Sequence, residues 1–428
     1  MTKKFTLSSS ALLIGAALIS AQANAAGFQL NAQSATGIGR AFAGDAVIAD
    51  NASVMARNPA AMALFDETAL SLGFEAIITD IEVKDSTYTY LDSIKLSNPN
   101  RGPQYVTEES NYDNAGGTSV APNLHLIVPI DDQFAVGANI YSNFGTSTEF
   151  DSSFAASEYG GTTDVMSMNI GLSGSYRLNQ QWSFGAGLDL IYGKGELERT
   201  LNDGIMIYGG ETGASASADG WALGFNLGTV YELDANNRFG FSYRYSPEIE
   251  AEGDVEYLLS GLGKVEDTLY LSLPHMMEFS GYHRIENSKF AVHYSVQYIG
   301  WSIFEDLEAE KSGVLNEYKW QDGMHYAIGG TYYLNNDWTL RVGYMYDTSA
   351  QDELTSVSVP DSDRQWFSAG FTYHINAKSN IDFGFTYLMG KDVDVHESLE
   401  LDGMLVSEIT ATTRANAILV GLQYSRTF

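Results

Sequence analysis

The chain has 428 residues, a formal net charge of −31, 26 Tyr and 42 Gly against 8 Pro, and no cysteine. A chain this acidic repels nucleic acid, and a Tyr- and Gly-rich, Pro-poor make-up argues for many strands over a helical bundle. Without cysteine, an exported protein must draw its stability from a large closed architecture rather than from disulfides.

Export is written at the start of the chain. Lys3 and Lys4 form a charged region, Ala11 to Ile19 a short apolar run, and Ala23-Asn24-Ala25 an A-x-A cleavage site. These features predict a leader over residues 1–25 and a mature chain from Ala26. The apolar run falls short of the roughly 20 residues that a bilayer-spanning helix needs, which weakens the alternative of a retained anchor. Loss of Lys3 and Lys4 leaves the mature chain more acidic still. Its acidic surface suits cation-bridged lipopolysaccharide, with solvated loops as the plainer explanation. No later stretch is long and apolar enough for a membrane helix.

Residues 26–67, rich in Ala, Gly, Asn and Ser, precede the first clear strand. They are expected to plug a barrel from within, the alternative being a disordered periplasmic tail. Gly37, Gly39 and Gly44 lack the spacing and the lysine of a phosphate loop and are assigned to this plug. From residue 68 onward the signal is a period of two. Leu70, Leu72, Phe74, Ala76 and Ile78 alternate with polar or small residues. So do Trp182, Phe184, Ala186, Leu188, Leu190 and Tyr192, and then Trp221, Leu223, Phe225, Leu227 and Tyr231. One wholly apolar face on every strand is the mark of a membrane barrel with lipid outside and lumen inside.

Short clusters punctuate these strands at Asp131-Asp132-Gln133, Asn179-Gln180-Gln181, Asp234 to Asn237, Glu286-Asn287-Ser288, Asn335-Asn336-Asp337 and Asn376 to Asn380. They read as tight turns. Between the other strands lie polar segments, 82–118, 145–162, 193–219, 251–271, 302–318, 348–362 and 390–412, which read as long loops. Short turns at one end and long loops at the other are the asymmetry of outer-membrane barrels, and the connectors enclose about 14 strands, an even number. A last strand carrying Ile418, Val420, Leu422 and Tyr424 ends at Phe428, like the terminal strand of such barrels, with Arg426 where an aromatic is commoner. The fold expected is all-β: a 14-stranded antiparallel transmembrane barrel over 68–428, in the cell outer membrane, with an N-terminal hatch.

Several short motifs, in order, carry a family resemblance. Ala26-Gly27-Phe28-Gln29-Leu30, Asn58-Pro59-Ala60, Ser142-Asn143-Phe144-Gly145 and Tyr231-Glu232-Leu233-Asp234 come first. Leu271-Ser272-Leu273-Pro274, Trp301-Ser302, Trp338-Thr339-Leu340-Arg341 and Pro360-Asp361-Ser362-Asp363-Arg364 follow. Together they resemble the FadL family of outer-membrane long-chain fatty acid transporters, which also includes aromatic-hydrocarbon uptake channels. Ala350 departs from the family's proline and puts the shape of its loop in doubt.

The resemblance implies a monomeric barrel in which a fatty acid is caught among the outer loops and passes to a deeper pocket. Movement of the hatch N-terminus then opens a way out through a gap at a kinked third strand. Phe28, Leu30, Asn58, Pro59 and Ala60 fall in the hatch, and Gly145, with Phe144 and Asn143, falls at the kink. Glycine is free of Cβ constraints there, although Gly145 also reads as a plain loop glycine. Arg199, in Glu196-Leu197-Glu198-Arg199, matches an arginine that binds the ligand carboxylate, the alternative being a rim pair with Glu196 or Glu198. Lys319 lies near a second such cation, or is an ordinary interfacial lysine.

Sideways delivery makes sense because an acyl tail gains about 0.8 kcal/mol per methylene kept from water. No catalytic constellation accompanies these features: G-x-S-x-G and H-E-x-x-H are absent, and the seven His are scattered. Asp392 and Asp394 look like the start of a calcium loop but lack its other ligands. No cofactor and no metal are expected. Uptake of small aromatic or other hydrophobic compounds is the alternative function, and a general porin or adhesin-like surface protein the third.

Overall fold

A computed structural model of the chain describes residues 27–31, 33–92, 104–205, 210–401 and 403–428; the predicted leader and Ala26 lie outside the described residues. Fourteen antiparallel strands run in chain order around one closed sheet. The first seven are β1 Ala69–Leu91, β2 Thr118–Pro129, β3 Phe134–Tyr141 continued by Gly145–Glu149, β4 Thr162–Arg177, β5 Trp182–Thr200, β6 Thr212–Glu232 and β7 Asn237–Tyr245 continued by Glu248–Tyr257. The second seven are β8 Val265–Ser272 continued by Met276–Arg284, β9 Phe290–Ile299, β10 Gly323–Tyr333, β11 Trp338–Asp347, β12 Arg364–Asn376, β13 Ser379–Gly390 and β14 Met404–Thr427. Closure is made by β14 on β1, from Ala69 opposite Thr427 to Tyr90 opposite Ser407.

The side-chain alternation expected from the sequence sets which face is lumen. On β5, Trp182, Phe184, Leu188 and Leu190 are exposed, whereas Ser183, Asp189 and Ile191 are buried. On β1, Leu72, Phe74 and Ile78 face outward, while Ser71, Glu75 and Ile77 face in. In lipid those outward side chains are solvated by acyl chains, so their exposure costs nothing. Arg426 sits on this outer face with its guanidinium 5.0 Å above the ring of Phe428, which places the charge at the interface.

All six turn clusters join consecutive strands at one end of the barrel. Five of them share a local device. Asp131 Oδ1 accepts the amides of Gln133 and Phe134, Asn179 those of Gln181 and Trp182, Asp234 those of Asn236 and Asn237, and Asn335 those of Asp337 and Trp338. Asn376 accepts the Lys378 amide likewise. The side chain thus completes the turn that the backbone alone leaves open.

At the opposite end most segments read as loops are strand. β1 runs on to Leu91 and pairs there with Tyr105–Glu108, β5 reaches Thr200, and two hairpins, Asp306–Ala309 with Gly313–Glu317 and Val393–Leu401 with β14, extend the wall. Above the hydrocarbon no apolar outer face is required, so strand pairing continues while the period of two disappears from the sequence.

Inside the ring lies the N-terminal segment. It contains helix α1 (Ala35–Ile38), capped by Ser34 Oγ on the Gly37 amide at 2.9 Å, helix α2 (Val54–Arg57), and a 3-10 turn, Pro59–Leu64. Buried ion pairs stitch it together and to the wall: Arg40 to Asp45 (2.6 Å) and Asp50 (2.9 Å), Arg57 to Glu278 of β8 (3.5 Å), and Arg341 of β11 to Asp50 (3.1 Å). Asn58-Pro59-Ala60 presses on β5 and β6. Asn58 Oδ1 caps the Ala60 amide at 3.0 Å, and its Nδ2 donates to the Ala46 carbonyl (2.8 Å) and the Thr229 carbonyl (3.1 Å). Gly185 and Gly228 make this approach possible, since a Cβ on either would collide with Ala60 or Asn58.

Gly228→Val is therefore expected to lower stability by roughly 1–3 kcal/mol through overpacking against Asn58. Urea titration of tryptophan fluorescence in detergent measures this, and an unchanged midpoint would mean that the segment is not seated as described.

Candidate functional site

The third strand is interrupted. Tyr141 lies opposite Asn169 and Gly145 opposite Met166, so β3 spends one more residue than β4 across the break. This is a bulge, and it turns β3 inward. On the other side β2 pairs with β1 along its length but with β3 only from Leu124 onward, leaving Thr118–Asn123 with no β3 partner. The wall has an opening in its hydrogen bonding there. Gly145 is not among the positive-φ glycines, so the inserted residue, and not a left-handed glycine, makes the bend.

The N-terminal segment covers the break from inside. Leu30 donates its amide to the Asn143 carbonyl at 2.6 Å, and Gly145 donates to the Phe28 carbonyl at 2.9 Å, with Gln29 bridged to Phe144 between them. Gln33 adds a side-chain bond to Asn143 Oδ1 at 2.8 Å. The Gly27 amide donates to Asp361 Oδ2 at 3.2 Å, and Asp361 is ion-paired with Arg364. Phe28, Leu30, Asn143, Phe144 and Gly145 are thus brought to one place, while Asn58, Pro59 and Ala60 act elsewhere, on β5 and β6.

Above Phe28 is an aromatic cluster. Its ring lies 4.5 Å from Trp301, 5.3 Å from Phe304 and 5.5 Å from Trp320, with Phe144 at 6.3 Å. Tyr318 joins it against Phe304 at 4.8 Å. Next to this cluster is a small cavity of about 60 Å³ lined chiefly by Val165, Leu197, Ile249, Leu269, Phe304 and Trp320. Leu197 and Tyr318 also line a second, outer cavity of about 390 Å³. The two are adjoining chambers, the inner apolar and the outer mixed.

Arg199 lies on the wall of the outer chamber. It is buried, and its guanidinium donates to the Thr162 carbonyl (2.6 Å), the Glu198 carbonyl (2.9 Å) and Thr163 Oγ1 (2.6 Å). All three acceptors are neutral. Among the described residues Arg199 makes no ion pair, and Glu196 is bound instead to Lys194 at 2.5 Å. Burial pulls the Arg199 guanidinium below its usual pKa against the opposing pull of Tyr318 and Glu397, so its charge is only partly compensated. Lys319 is placed differently. It has φ 48°, its ammonium is exposed and paired with Glu317 at 2.6 Å, and it lines neither chamber although its neighbours Tyr318 and Trp320 point inward.

Sequence reasoning did not find Phe304, Tyr318, Trp320 or Glu397 as site residues. The first two fall within 302–318, read as a polar loop, where three aromatics in a polar run (counting Trp320 just beyond) were the available signal. Glu397 reaches the outer chamber from a hairpin whose pairing leaves no mark in the sequence.

Comparison with known proteins gives a concordant result. A family described as outer membrane protein transport protein (OMPP1/FadL/TodX) matches residues 16–428. A long-chain fatty acid transport protein from Escherichia coli O6:H1 is 37% identical over 93% of this chain and 94% of its own. Among solved structures, a Pseudomonas aeruginosa FadL homologue has a TM-score of 0.82 at 21% identity, covering 94% of this chain and 100% of the other. The P. putida toluene transporter TodX has a TM-score of 0.62 at 19% identity, covering 88% and 94%.

Deleting Ser142 removes the surplus residue from β3 and is expected to draw Thr118–Asn123 into pairing. Exchange of the amides in that stretch that point away from β1 should slow by roughly tenfold or more. Unchanged exchange would place the cause of the opening elsewhere.

Proposed function

Because the chain belongs to the outer membrane transport protein family OMPP1/FadL/TodX, we propose that it takes up long-chain fatty acids across the outer membrane. The observation that carries this reading is Arg199: a buried guanidinium with only neutral partners, standing at the mouth of an apolar chamber. That is the arrangement an amphiphile with one carboxylate and a long tail requires. The head group pairs with Arg199 in the outer chamber, and the tail reaches past Leu197 and Tyr318 toward Phe28.

In the state described here the floor of the inner chamber is Phe28 itself, in its cage of Trp301, Phe304 and Trp320. Passage onward needs residues 27–30 to leave this place. The same residues hold the break in β3 through the Leu30–Asn143 and Phe28–Gly145 bonds. Their departure frees the opening beside Thr118–Asn123, and the ligand exits there, sideways into the apolar phase. A tail of sixteen carbons would forfeit on the order of 10 kcal/mol in a water-filled lumen, which favours the lateral route. We read residues 26–67 as the hatch of this transporter, the protein as a monomer among lipid and lipopolysaccharide, and its action as transport without catalysis.

A second reading, uptake of aromatic or other small neutral hydrocarbons, is favoured by the inner chamber alone, which is almost wholly apolar in its lining. The two readings part at Arg199, since a hydrocarbon gives a guanidinium nothing to bind.

Binding of a labelled long-chain fatty acid to the detergent-solubilised protein decides between them. Arg199→Ala is expected to weaken binding roughly tenfold to a hundredfold, the worth of a charge-assisted pair, with the barrel intact. Lys319→Ala should stay within about twofold, as an exposed pair contributes little. Equal binding by wild type and Arg199→Ala would favour the hydrocarbon reading, and absence of binding by the wild type would end the fatty acid one.

A further inference from the structure

The outer chamber holds more negative charge than a fatty acid carboxylate should tolerate. Glu158, Glu317 and Glu397 line it together with Arg199. Two of the three are engaged: Glu317 by the Lys319 ammonium at 2.6 Å, and Glu158 by the Tyr88 hydroxyl, which donates at 2.7 Å. Glu397 is half-buried, makes no ion pair among the described residues, and has Oε1 on the Val357 amide at 2.6 Å. The cation whose field reaches it is Arg199.

An incoming carboxylate and Glu397 therefore compete for one guanidinium. We propose that Glu397 is a specificity-determining residue of this transporter: an anionic head group binds at Arg199 only together with a proton taken up by Glu397, whereas a neutral head group binds without one. The proposal rests on the fatty acid reading of the outer chamber. Where Glu397 starts ionised, the step is a proton uptake from water onto its carboxylate oxygen, so the chamber's net charge is then unchanged by anion binding, and no covalent bond is made or broken beyond that O–H; where Glu397 is already protonated, the anion binds without further uptake.

The groups around Glu397 are consistent with such a role. Arg199 and Tyr318 act on it across the chamber, Glu158 and Tyr159 come from the segment after β3, Tyr257 from β7 and Glu317 from the 306–317 hairpin. On its own strand is His396, exposed and 3.7 Å from Glu408 of β14. Burial pushes the Glu397 carboxyl up to about 7, against the Val357 amide, Arg199 and Ser356, which all favour the ionised form. Its charge thus changes within the ordinary range of pH. Below about 7 Glu397 is neutral and Arg199 is free for an anion; above it Glu397 is ionised and the anion is excluded. Affinity for an anionic ligand falls as pH rises.

The test uses dodecyl sulfonate, which is anionic at every pH used, and 1-dodecanol, with tryptophan fluorescence of the detergent-solubilised full chain at pH 6 and pH 8.5. Wild type is expected to bind the sulfonate roughly tenfold more tightly at pH 6, with a ceiling near thirtyfold if binding and ionisation of Glu397 exclude one another. The alcohol should show no such difference. Glu397→Gln, whose amide oxygen still accepts the Val357 amide, should bind the sulfonate at pH 8.5 as wild type does at pH 6. His396→Asn should keep the wild-type pH dependence.

A pH dependence that survives in Glu397→Gln, or that the alcohol shares, overturns the proposal. Sulfonate binding that needs Arg199 but ignores pH in the wild type overturns it too, while leaving the fatty acid reading in place. Failure of the sulfonate to bind at either pH, with the alcohol still bound, removes the Arg199 head-group reading and this proposal with it.

Discussion

Within hydrocarbon no water reaches a backbone amide, so each strand must find a partner or something must stand in for one. Thirteen junctions of this barrel satisfy that rule by strand pairing along the membrane. At the fourteenth, between β2 and β3, pairing stops at Leu124, and the inward-turned end of β3 takes its hydrogen bonds from residues 28–30 inside the lumen. The hatch is therefore more than a filler of space. It is a partial strand partner, and the break in the wall's pairing and the plug of the lumen are two views of one set of hydrogen bonds. A bulge of one residue is enough to create this arrangement, because it displaces β3 without costing β4 its register on either side.

The electrostatics follow a matching division. Deep in the barrel, arginines and carboxylates are closed into pairs: Arg40, Arg57 and Arg341 are satisfied by Asp45, Asp50 and Glu278, which fixes the hatch against β8 and β11. Removing one member of such a buried pair strands a charge and costs several kcal/mol, so this half is built to stay. In the outer chamber Arg199 is left with neutral partners. The anion site proposed for this chamber needs an incompletely compensated cation, and Arg199 is one.

How much of this was legible in the sequence depended on height along the barrel. In the membrane band lipid demands an apolar outer face, and stripes such as Trp182 to Tyr192 and the Asx-type turns at Asp131, Asn179, Asp234 and Asn335 announced strands, register and ends. Above it the outer face of the same strands meets water, so the lipid-facing apolar stripe that announced them is gone, and 193–219, 251–271 and 390–412 read as loops. The candidate site straddles this boundary. Phe28 and Phe144 were reachable through short motifs, and Arg199 through one tetrapeptide. Tyr318, Trp320 and Glu397 depend on hairpins folding back over the lumen, and nothing local in the chain says where they point. Lys319 illustrates the limit: in the irregular stretch after the 306–317 hairpin, one position along the chain decides between chamber and solvent, and both of its neighbours face the other way.

The seam between β1 and β14 comprises twenty residue pairs, and it joins parts of the chain more than 300 residues apart. Loop-closure entropy grows only slowly with such a separation, but the contact cannot form early, because every intervening hairpin must be in place before the two edges meet. Until then each edge presents unpaired backbone, and its membrane-embedded part has no water to turn to. A chain lacking its last strand is left with two such edges and no way to hide either. The seam that closes last is thus also the one whose pairing removes the barrel's two free edges at once.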